Sequence, residues 1–392
     1  VSSTDHRLVV AMHHIISDGW STGIFRSELA QAYRAYSQGK TPSLPALSIQ
    51  YADFATWQRD CLRDEQIETQ LSFWKRQFAG ALGSPPALLE MPTDRPRPPV
   101  QTHRGAMYHF QLDTKLTAEL EQLAQKHQAT MFMLLLSAYY VLLARYSGQT
   151  DIVVGTGLAG RNRTEVEGLI GFFINLLALR IRLDGDLPFT RLLGQVRQDM
   201  LAAHVHQDVS FEQVLHALQI ERNPSYSPLF QTTFSMQSVG GGSSEVSDLN
   251  VTTQTADLAV AKYDFSLDLL HSPRGVRGYF EYNTDLFDEA TMARMTAHYE
   301  ALLRSIVAQP DQTVFSLPML TDVEERLIVE QWGGTAVNLG QHQPIHTLFE
   351  TQVEHTPHAV ALILNQQQLT YYELNARANQ LAYHLRQAGV TT

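Results

Sequence analysis

The chain has 392 residues, 44% hydrophobic and 18% charged, with 40 acidic against 29 basic side chains and a net charge of −11. The acidic balance excludes a general nucleic-acid surface, and the length allows two or three compact units. The one cysteine, Cys61, excludes an internal disulfide and fits a reducing compartment. It lies in ATWQRDCLRDE, where nothing points to thiolate activation.

Leu8 to Met12 is a short apolar run rich in β-branched residues, and it predicts a strand. His13 and His14 follow, then the turn signal Asp18-Gly19. Ser21 stands where it would cap a helix with Phe25, Leu29, Ala32 and Tyr36 on one face. Neighbours on a strand point to opposite faces, so one of the two histidines is expected to look into a given cleft. An imidazole can take up a proton near neutral pH, and the Asp18 carboxylate can orient a ring or hold the loop. A structural His pair is the alternative. A zinc reading of His-His-Asp lacks further ligands at the usual spacing.

After the Pro-rich TPSLPALS, residues 51–78 read as helical, with Phe54, Trp57, Phe73 and Trp74 as core aromatics. PTDRPRPPV is too rich in proline for a helix or central strand and reads as a crossover. AMYHFQL predicts a strand and LTAELEQLAQKH an amphipathic helix. Met131–Ala144, with Thr130 as N-cap, predicts a buried helix, shorter than the roughly 18 residues of a membrane span. No secretory signal is read.

Gly155–Gly160, after the strand Asp151–Val154, spells G-x-G-x-x-G. A dinucleotide site needs that motif to open a helix packed on its strand, and the polar RNRTEVEG that follows has no apolar stripe. Ile170–Arg180 reads as a strand buried on both faces. The Asn175 amide inside it must find partners, either as a backbone pin or in a cleft wall. A helix from Phe189 is expected to turn Leu192, Leu193, Val196, Met200 and Leu201 inward. FQTTFSMQ reads as a strand, residues 240–245 as a flexible loop, and KYDFSLDLLHS with GVRGYFEYN as a strand pair. A long helix follows, with Met292, Met295, Tyr299, Leu302, Leu303 and Ile306 on its buried face and Pro310 at its end. Residues 311–344 read as a linker. From Ile345 a short helix, the strand AVALILN and a capped helix follow.

MHHIISDGWS resembles the HHxxxDG signature of condensation domains of nonribosomal peptide synthetases, members of the chloramphenicol-acetyltransferase-like acyltransferases. YADFATW (51–57), AGRNR after the Gly-rich segment, IGFFINLLALR, HQDVSFE (206–212) and RNPSYSPLF (222–230) resemble later motifs in the family's order. Leu176 stands where Thr or Gln is common, and Ser210 where Pro is. LTYYEL (369–374) resembles the first core motif of adenylation domains, and no phosphate-binding loop follows it.

The resemblance implies an α/β fold of two lobes with the first incomplete. Residues 1–100 would be the remainder of the first lobe, 101–309 the second, 310–344 a linker, and 345–392 the start of an adenylation domain. The family's earliest motifs are absent, so an N-terminally truncated piece, inactive alone, is expected. The implied reaction is amide-bond formation, an acyl transfer from a peptidyl or aminoacyl thioester to an aminoacyl acceptor. His14 would accept or position the amine proton, with His13 facing away. Asp18 would hold the loop through an Arg that in the family can come from an upstream motif. The Gly19 N–H would meet the oxyanion, with Asn175, Trp20 and Ser21 on the substrate side. Implied partners are donor and acceptor carrier domains, which present substrates on phosphopantetheine, and an adjoining adenylation domain. No cofactor or metal is expected on this chain, ATP and Mg belonging to the rest of that domain. No nucleic-acid or membrane partner is expected, and the location is cytoplasmic. The alternatives are a silent docking platform for carriers and an epimerisation-type relative.

Overall fold

A computed structural model of the chain describes residues 6–62, 64–79, 86–238, 251, 258–333, 344–365 and 367–390. It falls into two compact units, Val1–Val323 and Glu324–Thr392. The loop expected at 240–245 lies outside the described residues, as does the 334–343 part of the expected linker.

The strand expected at Leu8–Met12 is not formed. Leu8 and Val9 are exposed, and no described segment pairs with this run. β-Branched residues favour a strand only where a partner takes up the backbone groups. A single 3-10 turn, His14–Ile16, leads into α1 (Gly19–Ser37). The cap of α1 is Asp18 rather than Ser21, because the Asp18 carboxylate accepts the Ser21 N–H. On the face expected to be core, Leu29 and Tyr36 are exposed.

α2 (Tyr51–Cys61) opens with a capping box between Gln50 and Asp53, and α3 (Asp64–Phe78) follows. Tyr51 and Phe54 pack on a small cluster of Val166, Leu169 and Phe173. Trp74 and Phe78 of α3 join the main core instead, and the Trp74 indole donates to His206 O at 2.9 Å. The segment 1–100 is therefore divided between two cores.

The main core is built on a six-stranded mixed sheet. In chain order come β1 (Gly105–Gln111), α4 (Thr114–Lys126), α5 (Met131–Ser147), β2 (Asp151–Leu158), the one-turn α6 (Thr164–Glu167), β3 (Asn175–Arg182), α7 (Phe189–Val205), α8 (Phe211–Leu218), β4 (Thr232–Ser238), β5 (Phe265–Ser272), β6 (Gly275–Asn283) and α9 (Glu289–Ala308). The strand order is β1-β6-β5-β4-β2-β3. β4 runs parallel to both β5 and β2, and the other pairs are antiparallel.

α5 is the buried helix, capped by Thr130 and ended by Gly148 in the left-handed region. Its Tyr139 hydroxyl meets Thr232 Oγ1 at 2.5 Å, and Tyr140 donates to Leu179 O at 2.9 Å. Tyr299 of α9 donates to Leu135 O at 2.8 Å. Each phenol brings a large apolar area to the core while its polar tip stays satisfied. α9 buries every residue its spacing picks out, whereas Leu201 of α7 faces solvent.

Two boundaries differ from the sequence reading. β3 begins at Asn175, because the amides of Gly171 and Phe173 bond to Ser21 and Asp18 rather than to a ladder. Residues 311–323 are not linker. Val314 and Leu317 are fully buried, and Val314 N–H donates to Leu187 O at 2.9 Å.

In the second part of the chain, α10 (Asp322–Arg326) and a π-helical turn, Leu327–Trp332, precede α11 (Ile345–His355). The hairpin of β7 (Val360–Leu364) and β8 (Gln367–Thr370) then leads into α12 (Tyr371–Gln387), opened by a Thr370–Glu373 capping box. Among the described residues no single helix is long and apolar enough to cross a membrane.

Candidate active site

Asp18 is the node of the site. Its Oδ1 accepts Ser21 N–H at 2.8 Å, Ser21 Oγ–H at 2.7 Å and Arg161 Nη2–H at 3.3 Å. Its Oδ2 accepts Phe173 N–H at 3.0 Å. Burial alone would push this carboxyl up. The donors from Ser21 and Phe173, with the Arg161 charge, outweigh burial and hold it below the ordinary carboxylate value. The cation beside it is Arg161 of AGRNR.

Arg161 has its side chain 1% exposed. Nη1 donates to Val166 O and, at 2.8 Å, to Leu169 O, while Nη2 reaches Ser21 Oγ at 2.9 Å. The guanidinium lies 4.0 Å over the Phe173 ring. Burial pulls its value down against the pull of Asp18, but a guanidinium keeps its charge at any working pH. The pair fastens the start of α1 to the 161–173 segment.

This anchorage fixes the histidine turn beside it. His14 Nδ1 lies 2.7 Å from Ser17 O. A carbonyl oxygen only accepts, so Nδ1 carries the hydrogen, and in the neutral ring Nε2 keeps its lone pair. The ring meets Phe172 edge to face at 5.2 Å. Phe172 is in turn held by its carbonyl, which accepts the Tyr51 hydroxyl at 2.8 Å. His13 has the opposite arrangement. Its Nδ1 accepts Ile15 N–H at 3.1 Å and caps the 3-10 turn. The two rings differ by turn geometry, not by strand alternation. Both are exposed.

Gly19 opens α1, and a Cβ placed on it would lie 3.7 Å from Gln237 Nε2 at the end of β4. The histidine turn therefore borders the polar side of the sheet. The other expected substrate-side residues are tied up by the protein itself. Ser21 is buried, with its hydroxyl between Asp18, Gly171 and Arg161. Trp20 is half exposed, but its indole N–H donates to Glu167 O at 2.9 Å, which leaves only the ring face open. Asn175 donates to Gln207 O at 2.6 Å and Val209 O at 2.7 Å and accepts Leu176 N–H at 2.9 Å. It pins the 207–209 turn and has no spare donor for a ligand.

The glycines of G-x-G-x-x-G make room for side chains and backbone of this same region. A Cβ on Gly155 would strike the Phe230 ring, one on Gly157 Ile174, and one on Gly160 would lie 2.0 Å from Phe173 O. β2 is followed by a loop rather than by the helix that a phosphate cradle requires. Among the described residues no group of three or more His, Cys, Asp or Glu is placed to hold a metal ion.

Sequence reasoning missed Arg161, Phe172 and Gln237 as parts of this site. Only Arg161 carried a signal. Arg161 stands in the AGRNR segment, and the Asp18 carboxylate called for a cation.

A family profile described as "Condensation domain" matches residues 1–329. A linear gramicidin synthase of Brevibacillus parabrevis is 43% identical over 392 residues, covering 100% of this chain and 8% of that protein. Malpinin synthetase of Mortierella alpina is 43% identical over 383 residues, covering 98% of this chain and 5% of that protein. The chain thus spans under a tenth of the length of these curated relatives. Among solved structures, a four-domain nonribosomal peptide synthetase bound to AMP and glycine is similar, with a TM-score of 0.72 at 26% identity. The match covers 97% of this chain and 29% of that one. The X-domain from teicoplanin biosynthesis, in complex with OxyB, matches with a TM-score of 0.69 at 27% identity, over 79% of this chain and 69% of that one.

Proposed function

The chain belongs to the condensation-domain family, and from that premise we propose that it joins two carrier-tethered substrates through an amide bond at the His14 turn. The nitrogen of an acceptor aminoacyl thioester attacks the carbonyl of a donor thioester. A C–N bond forms, the tetrahedral oxyanion collapses, the C–S bond breaks, and the amine proton leaves with the thiol. The observation that carries this reading is the His14 ring, tied through Nδ1 to Ser17 O, with no hydrogen bond at Nε2 among the described residues. Nε2 accepts or positions the proton that the attacking nitrogen must lose. A free α-amino group, with a pKa of about 7.7–8.0, is mostly protonated at pH 7 and needs such a partner. The Gly19 N–H, in the first turn of α1 where backbone donors lack helical partners, would meet the developing oxyanion. Holding both thioesters at one loop supplies the rest by effective molarity.

The substrates ride on phosphopantetheine arms of donor and acceptor carrier domains, and the chain works as part of a larger synthetase. Residues 345–392 are the start of its adenylation domain. The match of 97% of this chain to a four-domain synthetase supports that assignment. The test is reconstitution of the full-length protein carrying this chain with two separately loaded carriers, read by mass spectrometry of the products. Dipeptidyl product on the acceptor carrier is the expected result. Carrier binding with no product makes the chain a docking platform and rejects the reading.

A further inference from the structure

The side of the sheet that borders the histidine turn carries a row of polar side chains. On β4 and β5, Phe234, Phe265, Leu267 and Leu269 face the helices and are buried. Strand alternation turns Ser235, Gln237, Ser266 and Asp268 the other way. Ser235 pairs in register with Asp268, and Asp268 with Tyr279 of β6. His109 of β1 lies opposite Tyr279, with the rings 5.5 Å apart. Gln237, the residue beside Gly19, is two positions along β4 from Ser235. Asp268 therefore stands one strand across and one side-chain repeat away from the wall of the His14 turn, roughly 8–9 Å between backbones.

Asp268 is unusual on this face. Its two oxygens accept only hydroxyls, from Ser235 and, at 2.9 Å, from Ser266. Among the described residues it has no cation. Arg277 and Glu281 flank Tyr279 on β6, and His109 lies beyond it; among the described residues neither Arg277 nor His109 forms an ion pair with Asp268, and Glu281 is itself acidic. The residue is partly covered. Burial pushes the carboxyl up against the pull of the two serines. Burial first, then Asp268 and Glu281, push the Tyr279 phenol up to about 12, so it remains a neutral donor. The proposed mechanism uses none of these groups.

We propose that Asp268 is a specificity-determining residue that selects an aminoacyl substrate whose side chain ends in a primary ammonium. This rests on the condensation reading above. A carboxyl ringed by hydroxyls, with no cation of its own, offers an ammonium the charge it lacks and neighbouring acceptors for its other hydrogens. The substrate can be the donor or the acceptor residue.

The experiment uses the full-length protein carrying this chain, unaltered or with Asp268→Asn, and carriers loaded with ornithine or its neutral isostere norleucine. Three pairings are run: ornithine on the donor, ornithine on the acceptor, and norleucine on both. The unaltered protein is expected to favour ornithine over norleucine in one arm by about 10- to 100-fold, the range for a hydrogen bond to a charged group. That arm identifies the source. Asp268→Asn removes the preference and leaves the norleucine pair within about twofold. An unchanged preference in the variant, or equal slowing of all three pairings, overturns the assignment while leaving condensation intact. No product from any of the three pairings with the unaltered protein removes both.

Discussion

Replacing Arg161 by Met tests whether the Asp18–Arg161 pair positions the histidine turn. The side chain is buried and reaches Leu169 O at 2.8 Å, Ser21 Oγ at 2.9 Å, Asp18 at 3.3 Å, and Val166 O. Stranding one partner of a buried ion pair costs about 3–5 kcal/mol. Here Asp18 keeps Ser21 N–H, Ser21 Oγ–H and Phe173 N–H, and the charge contact is long. The lower end, about 3 kcal/mol, follows, which is roughly a hundredfold rise in the undocked loop. Hydrogen exchange of the 171–173 amides reads this directly, since Gly171 and Phe173 are the ones bonded across to Ser21 and Asp18. Adding Asp18→Asn neutralises the stranded charge and is expected to recover about 1–2 kcal/mol, a coupling typical of contacting residues. Unchanged exchange at 171–173 in Arg161→Met, or simple additivity of the two substitutions, refutes the positioning role.

The remaining predictions concern the same loop. Because the folded Asp18 carboxyl lies below its ordinary value of 3.8, its contribution is fully present above about pH 5 and is lost as pH falls below about 4. Protection at 171–173, corrected for intrinsic exchange and measured at pH 7, 5 and 3, should fall selectively only in the last step. Gly160→Ala places a Cβ 2.0 Å from Phe173 O at a backbone φ of +64°, and should lower stability by more than about 2 kcal/mol in denaturant unfolding.

The sequence makes some of this fold readable and hides the rest for definable reasons. The caps and stripes of α5, α9 and α12 are local, since Thr130, Met292 to Ile306, and Thr370 with Glu373 interact within a few turns. The β5–β6 hairpin is local as well. The start of β3 is not. Residues 170–174 have strand composition, but two of their amides are taken by a loop 150 residues earlier. For the same reason Ser21 looked like a cap and proved to be the buried hydroxyl between Asp18 and Arg161. Asn175 could be read either as a pin or as a cleft residue, and only the carbonyls of Gln207 and Val209 decide for the pin. Val314 and Leu317 sit in a short apolar stretch broken by Ser316 and Pro318, with no helical or strand periodicity to flag them, yet both fill the main core. Asp268 lies in the polar half of an alternating strand, where its missing cation shows only once β4 and β6 are laid beside it.

The most direct measurement is the single-turnover rate of amide formation between two loaded carriers, compared for the unaltered full-length protein, His14→Ala and His13→Ala. Loss of Nε2 should slow the reaction by about 10²–10⁴-fold, while His13→Ala, which removes only a cap on the 3-10 turn, should leave most of the rate. A His14→Ala rate equal to that of the unaltered protein contradicts the account.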